Sequence, residues 1–432
     1  MKILLEAPIL TKSGYGEHSR FAFRALRTLP GVFKTAEVFI NPLNWGQTGW
    51  ISEESEEKSM IDRCILNFGS YVNQCKESQK NTEWDLQIFV GIPNEFVKRA
   101  AHSICITAGI ETDRVDPSWL MKTREGIQRI IVPSTHSKLG FTETSYELFN
   151  QTTNEKTLLE CASEVDVVPY PHKRIQPKDI NFTLKTEFNF LSVALLGPRK
   201  NIENMINWFA EEFKDDNVGL VLKTGLTCGS IIDREATQKA LEQTLKPYKD
   251  RKCKVYLLHG DLSEEELHSL YCRPDIHAYT TTTHGEGYGL PLFEAAYSGL
   301  PIIATDWSAH LDFLSVPYEE SGKVKQEKLF SKVDFDIKPI PQNVIWKDII
   351  PEGSQWAYPK EESFKSQMRS VYEDYETYKK RAASLKSHIL EEYAEDKIME
   401  RMVSSMISDI HPTLKSKMKN TQTLNQEVVV FE

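Results

Sequence analysis

Short apolar runs alternate with longer amphipathic stretches along most of this chain. In the first part the runs are KILLEAP, TAEVFI, LQIFVGIP, SICITAG and RIIVPS; in the second they are NFLSVALLG, VGLVLKT, KVYLLHG, IHAYTTT and PIIATD. Many are apolar at consecutive positions, as strands buried on both faces are. Between them lie stretches with apolar residues at helical spacing, such as RKNIENMINWFAEEF, SEEELHSLYC and PLFEAAYSG. Strands alternating with helices predict βαβ units and an α/β fold of doubly wound sheets.

Two such sets appear, and a chain of 432 residues is too long for one core of ordinary size. The stretch DVVPYPHKRIQPKD, residues 166 to 179, carries three prolines and little periodicity and reads as the linker. Residues 364 to 406 are charged and helical in pattern, and the polar end KSKMKNTQTLNQEVVVFE reads as a loose tail. The expected division is residues 1–168, 169–390 and 391–432.

One stretch carries most of the chemistry. Residues 276 to 282 read as a strand, and His284 to Leu290 as a loop with Gly285, Gly287 and Gly289 at alternating positions. Pro291 then suits the first helical position, Gly299 ends the helix, and PIIAT is the next strand. Such a helix N-terminus faces the crevice at the carboxyl end of the sheet, where open α/β sheets bind ligands. Free N–H groups beside small glycines favour a diphosphate. Glu294, one turn inside the helix, can accept hydrogen bonds from the two hydroxyls of a ribose. Glu286, in the loop, can reach a sugar beyond the phosphates. Two carboxylates spread along one nucleotide sugar account for their spacing of eight.

Composition narrows the classes. The net charge of −10 argues against a general nucleic-acid coat or an anionic-membrane binder. No run of about 18 apolar residues predicts a membrane span, and MKILLEAPIL reads as a first strand, not a signal peptide. Seven cysteines, at 64, 75, 105, 161, 228, 253 and 272, form no CxxC pair. That fits reduced thiols in a cytoplasm and predicts neither disulfides nor a zinc site.

Residues 281 to 314, TTTHGEGYGLPLFEAAYSGLPIIATDWSAHLDFL, resemble the donor-binding signature of the family 4 retaining glycosyltransferases of the GT-B fold. Other segments are similar to the family too: LSVALLGPRKNIENMINWF, VYLLHGDLSEEELHSLY, TKSGYGEHSR, and TAGIETDRVDPSWL with IIVPSTHSKLGF. The resemblance spans roughly residues 1 to 400. It implies two Rossmann-like domains facing across a cleft, with a C-terminal helix returning to the first.

It also implies roles. Arg199 and Lys200 would neutralise the leaving diphosphate, although the family often spaces this pair more widely than GPRKN does. Glu286 would hold the donor sugar, Glu294 the ribose, and the backbone of Gly287, Tyr288, Gly289 and Leu290 the phosphates. Gly14, Tyr15 and Gly16 would close from the other domain. The histidine that many members place near the sugar has no clear counterpart, and Glu111 and His18 are the nearest candidates. Trp119, with Trp45 and Trp50, is a candidate acceptor platform. No metal and no permanently bound cofactor is implied; the donor would be a UDP- or GDP-sugar. Transfer with retention would go to a hydroxyl of a polysaccharide, lipid or protein glycan, or of hydroxymethylated bases in phage DNA. The local clusters HKRIQPK and RALR keep DNA open against the acidic net charge. The competing readings are a sugar-nucleotide epimerase of the same fold and an inactive sugar-nucleotide-binding protein.

Overall fold

The computed structural model describes residues 1–28, 36–45, 55–150, 155–227 and 229–408. Trp50, Cys228 and the polar tail from 415 lie outside the described residues.

Ten apolar runs become strands of two six-stranded parallel sheets. Each sheet gains a further strand that the pattern did not show, Glu164–Val167 in the first and Ser331–Val333 in the second. The first sheet runs Lys2–Ala7, Glu37–Pro42, Leu86–Val90, His102–Ile106, Arg129–Val132 and Glu164–Val167 in chain order, arranged 2-1-3-4-5-6. The second runs Phe188–Val193, Val218–Lys223, Lys254–Leu258, Ala278–Thr280, Ile302–Thr305 and Ser331–Val333, arranged 3-2-1-4-5-6. Both orders reverse beside the first strand. Connections on either side of such a switch point leave toward opposite faces, which opens a crevice at the carboxyl ends of the strands.

The continuous apolar runs are explained by burial on both faces: every residue of Leu86–Val90 and His102–Ile106 is buried. The chain returns to the first domain at its end. Glu361–Glu373 packs on the second-domain core through Phe364, Met368 and Val371. Glu395–Ile407 instead buries Ile398, Met399, Met402, Val403 and Met406 in the first-domain core beside Ile3, Leu5, Ile40 and Ile88. Among the described residues no helix is long and apolar enough to cross a membrane.

Three boundaries differ from the sequence reading. The strand Glu164–Val167 runs into the expected linker, because the chain stays extended beside Arg129–Val132 until Pro169 removes a donor. The strand expected over residues 276 to 282 is only Ala278–Thr280. The helix Leu290–Ser298 begins one residue early, with Gly289 as its cap, so Pro291 is its second residue.

Antiparallel hairpins are additions to the doubly wound plan. The most consequential joins Phe335–Pro339 to Gln355–Pro359. The segment between these strands reaches the first domain, where Ile349 packs against a core containing Trp119 and Phe141. There Trp119 Nε1 donates to the Asp348 carbonyl at 2.8 Å and the Gln355 amide donates to Asp113 Oδ1 at 2.7 Å.

Candidate functional site

The second sheet reverses between its first and fourth strands, and the loops leaving those two strands carry the charged candidates. Pro198–Lys200 forms a single tight turn, and Asn201, at φ 54°, redirects the chain into the helix Ile202–Glu212. The His284 amide donates to the Arg199 carbonyl at 2.8 Å, which ties the two loops together. Across this junction Lys200 Nζ lies 2.5 Å from Glu286 Oε1, and Arg199 Nη1 lies 3.0 Å from Glu286 Oε2. Arg199 Nη1 also donates to the Gly285 carbonyl at 2.6 Å, and its Nη2 lies 2.7 Å from Glu111 Oε1 of the first domain.

The cluster therefore holds two cations and two carboxylates. Burial alone would raise the Glu286 carboxyl, but Lys200 and Arg199 hold it well below the usual carboxylate range. Burial and the nearby Glu286 charge raise Glu111, against the pull of Arg199 and Lys200. Burial works against the Arg199 charge, and Glu286 with Glu111 more than restores it. At neutral pH Glu286 is ionised and pressed between both members of the expected diphosphate clamp.

The glycines have a different partner from the one expected. A Cβ on Gly285 would lie 2.3 Å from the Glu111 carbonyl oxygen, and one on Gly287 would lie 2.8 Å from the Gly109 nitrogen. These two glycines let the loop dock against the first-domain backbone. The hydroxyls of Ser134 and Ser137 complete the contact by donating to the Gly287 carbonyl at 3.0 and 3.3 Å. Gly289 is required for another reason, its φ of +92°. The Tyr288 side chain does not face a ligand: it is buried among Tyr170, Phe293 and Phe313, and anchors the loop from beneath.

Glu294 stands apart from Glu286. It lines a cavity of about 260 Å³ between the domains, together with Gly14, Lys173, Glu264, Leu290 and Tyr297. Its Oε2 accepts from the Tyr271 hydroxyl at 3.0 Å. Burial pushes its carboxyl up to about 7, against the Tyr271 hydrogen bond and the Lys173 charge, while Glu264 and Glu17 push the same way as burial. Lys173, from the interdomain stretch, lies 3.0 Å from Glu17 and 2.9 Å from Glu264. The chain offered no local sign that Lys173, Glu17, Glu264 and Tyr271 would gather around Glu294.

The first-domain candidates divide. Gly14 has open space where a Cβ would point and faces the cavity. A Cβ on Gly16 would lie 2.0 Å from the Thr11 carbonyl oxygen, so its bareness closes the turn. The Tyr15 hydroxyl is spent on Thr107 and the Ala108 backbone, and its ring meets Trp45 edge-on at 5.1 Å. His18 is buried against Phe21 and Tyr170, and burial pushes its imidazole down to about 4. It is a neutral core residue and not a sugar-facing group. Trp119 is likewise buried in the first-domain core, which removes it from an acceptor platform. Trp45 donates to Glu95 at 3.0 Å.

Three cations of the basic clusters are ion-paired. Lys173 is taken by Glu17 and Glu264, Lys178 by Glu266 at 3.2 Å, and Arg24 by Glu17 and Glu57 at 3.2 Å each. Among the described residues no group of three or more His, Cys, Asp or Glu side chains is placed to hold a metal ion.

Residues 175–315 match the family model described as glycosyl transferases group 1. A stretch of 121 residues is 32% identical to the serotype-specific mannosyltransferase WbdA of Escherichia coli, covering 27% of this chain and 13% of that protein. The match thus spans a small part of the relative's length. Two solved structures share the whole architecture. HepE of Anabaena, in complex with UDP and glucose, superposes with a TM-score of 0.55 at 12% identity, over 94% of this chain and 100% of its own. Sucrose-phosphate synthase of Thermosynechococcus elongatus does so with a TM-score of 0.57 at 14% identity, over 98% and 100%. The chain has the GT-B fold, and its residues 175–315 are similar to the group 1 glycosyl transferases.

Proposed function

We propose that the protein is a retaining glycosyltransferase that moves a sugar from a nucleoside-diphosphate sugar to an acceptor hydroxyl. The observation that carries this reading is the cluster of Arg199, Lys200 and Glu286 at the switch point of the second sheet. The group 1 match over the same residues and the UDP and glucose held by the similar HepE structure support it.

In this reading residues 169–390 bind the donor, residues 1–168 present the acceptor, and the helix Glu395–Ile407 ties the second to the first. Cleaving the sugar–phosphate bond places negative charge on the diphosphate. Lys200 and Arg199, held at the switch point by Glu286, stand where cations stabilise that charge as it develops. Glu286 then faces the anomeric centre, which flattens and becomes positive. Attack comes from the face the diphosphate leaves, with the departing phosphate oxygen taking the acceptor proton, so no metal and no separate base are needed. Glu111, linked to Arg199 from the first domain, aligns the acceptor side with the clamp. Glu294 accepts from the ribose, and Gly14 approaches the diphosphate across the cleft. The reaction takes place in the cytoplasm, and the acceptor hydroxyl belongs to a polysaccharide, lipid or protein glycan; the pairing of Lys173 and Lys178 with carboxylates weighs against DNA.

The test is nucleotide release from a panel of UDP- and GDP-sugars, including a mannosyl donor because of the match to a mannosyltransferase. Release from one donor, raised by an added glycan and lost in Lys200→Ala, is the expected result. Retention of the nucleotide by every donor at enzyme-stoichiometric levels would leave only the inactive binding reading. Conversion of the donor to an epimer would favour the other.

A further inference from the structure

Resting on the donor-site reading above, we propose that the donor nucleotide carries guanine, and that Glu264 and Lys173 read its edge. The cavity that holds Glu294 does not stop there. It continues along the helix Leu290–Ser298 to Tyr297 and across to the helix Glu264–Cys272. A nucleoside with its ribose at Glu294 and its phosphates near Gly14 and Leu290 can place its base in this extension. Ile175 and Leu267 supply apolar surface there, suited to the faces of a flat ring.

The polar side chains at this end are Glu264, Lys173 and His268, the last with its ring against Tyr297. Three glutamates follow one another at the start of the helix, but they do different things. Glu266 caps its own helix by accepting from the Ser263 amide at 3.0 Å, and it pairs with Lys178. Glu265 does not line the cavity. Glu264 does, and its Oε1 meets Lys173 Nζ at 2.9 Å. An ammonium has three hydrogens, and two of those on Lys173 go to Glu17 and Glu264. The third is left for an acceptor placed beside the Glu264 carboxylate.

Guanine presents that sequence of groups along one edge: the O6 acceptor, then the N1–H and 2-amino donors. O6 takes the lysine hydrogen, and the two donors take the carboxylate in a bidentate pair. Uracil has one N–H between two carbonyl oxygens, so its edge can satisfy one carboxylate oxygen while repelling the other. Adenine places an amino donor where the lysine needs an acceptor. A bidentate polar match of this kind discriminates between bases by about ten- to a hundredfold.

Calorimetric titration with GDP and UDP tests this on the full chain. GDP is expected to bind at least about tenfold more tightly than UDP. Glu264→Gln and Lys173→Met are each expected to bring the two affinities within a few fold, with the melting temperature followed as a folding control. Glu265→Gln, on the same helical turn but outside the cavity, should leave both affinities unchanged. Equal or tighter binding of UDP overturns the assignment of the base while leaving the donor-site reading standing. A GDP preference that survives in Glu264→Gln overturns the role given to that residue. Binding of neither nucleotide overturns this inference and the donor-site reading together.

Discussion

The guanidinium of Arg199 and the carboxylate of Glu111 stand 2.7 Å apart although they belong to different domains. Arg199 also pairs with Glu286, so one side chain links the first domain to the carboxylate at the switch point; in the proposed function these groups are the diphosphate clamp, the sugar-facing carboxylate and the acceptor-side wall. Glu111→Gln should keep most of the affinity for the nucleoside diphosphate, because Glu286 still orients Arg199. It should lower kcat/KM by about tenfold or more, since a charge-assisted contact worth about 1.5–3 kcal/mol is lost from the closed state. Steady-state kinetics with nucleotide binding on the same variant checks the split.

Glu286 holds both cations, and in the proposed function the diphosphate would compete with it for them. Glu286→Gln should therefore bind the free nucleoside diphosphate as well as the unaltered protein, or better. Turnover should fall on the order of 10²–10³-fold, because the carboxylate acts on charge present only as the bond breaks. Near-normal turnover would reduce Glu286 to a structural anchor of its loop.

The glycines separate fold from binding. Gly14→Ala meets no protein atom within 4 Å, so the melting temperature should hold while nucleotide affinity drops. Gly16→Ala drives its Cβ to 2.0 Å from Thr11 and should lower stability by about 1–3 kcal/mol. Gly287→Ala should force its loop off the Gly109 backbone by a fraction of an ångström, lowering turnover more than the melting temperature, as kinetics and thermal unfolding of the same variant would show.

Glu294 sets a pH dependence. Its folded carboxyl titrates at about 7 against an ordinary value of 4.5, so the folded state holds this proton where the unfolded chain has lost it. Its contribution to stability is therefore largest at low pH and falls as the pH rises from about 4.5 to 7. Binding runs the other way, because only the ionised form accepts from both ribose hydroxyls. Nucleotide affinity should rise as pH climbs toward 7 and level off above it. Glu294→Gln should be weaker and flat over the same range, measured by titration between pH 6 and 8.

Much of the plan was legible because it is local. Apolar runs such as LQIFV announce buried parallel strands, and Gly289, Pro291 and Gly299 punctuate one helix by backbone chemistry alone. Arg199 and Lys200 were joined to Glu286 only through the family resemblance, and the structure brings the three together because their loops flank one switch point. What escaped depends on contacts between distant positions. Lys173 meets Glu264 across 91 residues, and nothing in HKRIQPK distinguishes it from a solvated lysine. Gly285 and Gly287 read as phosphate-approaching glycines, yet the backbone they admit is that of Gly109 and Glu111. His18 and Trp119 carry polar atoms that suggest work at a surface, whereas the packing of the first domain buries both. The segment from residue 335 to 359 has little apolar periodicity, so its grip on Trp119 through the Asp348 carbonyl was invisible from the chain.

The central claim is that Arg199 and Lys200 form the diphosphate clamp of a sugar-nucleotide site. Its most direct test is calorimetric titration of the preferred nucleoside diphosphate into the unaltered protein, Arg199→Ala and Lys200→Ala. Loss of a charge-assisted contact worth about 1.5–3 kcal/mol should weaken binding by roughly ten- to a hundredfold in Lys200→Ala, with a loss in Arg199→Ala as well. Unchanged affinity in both variants would contradict the clamp, and with it the assignment of the switch-point cluster to sugar transfer.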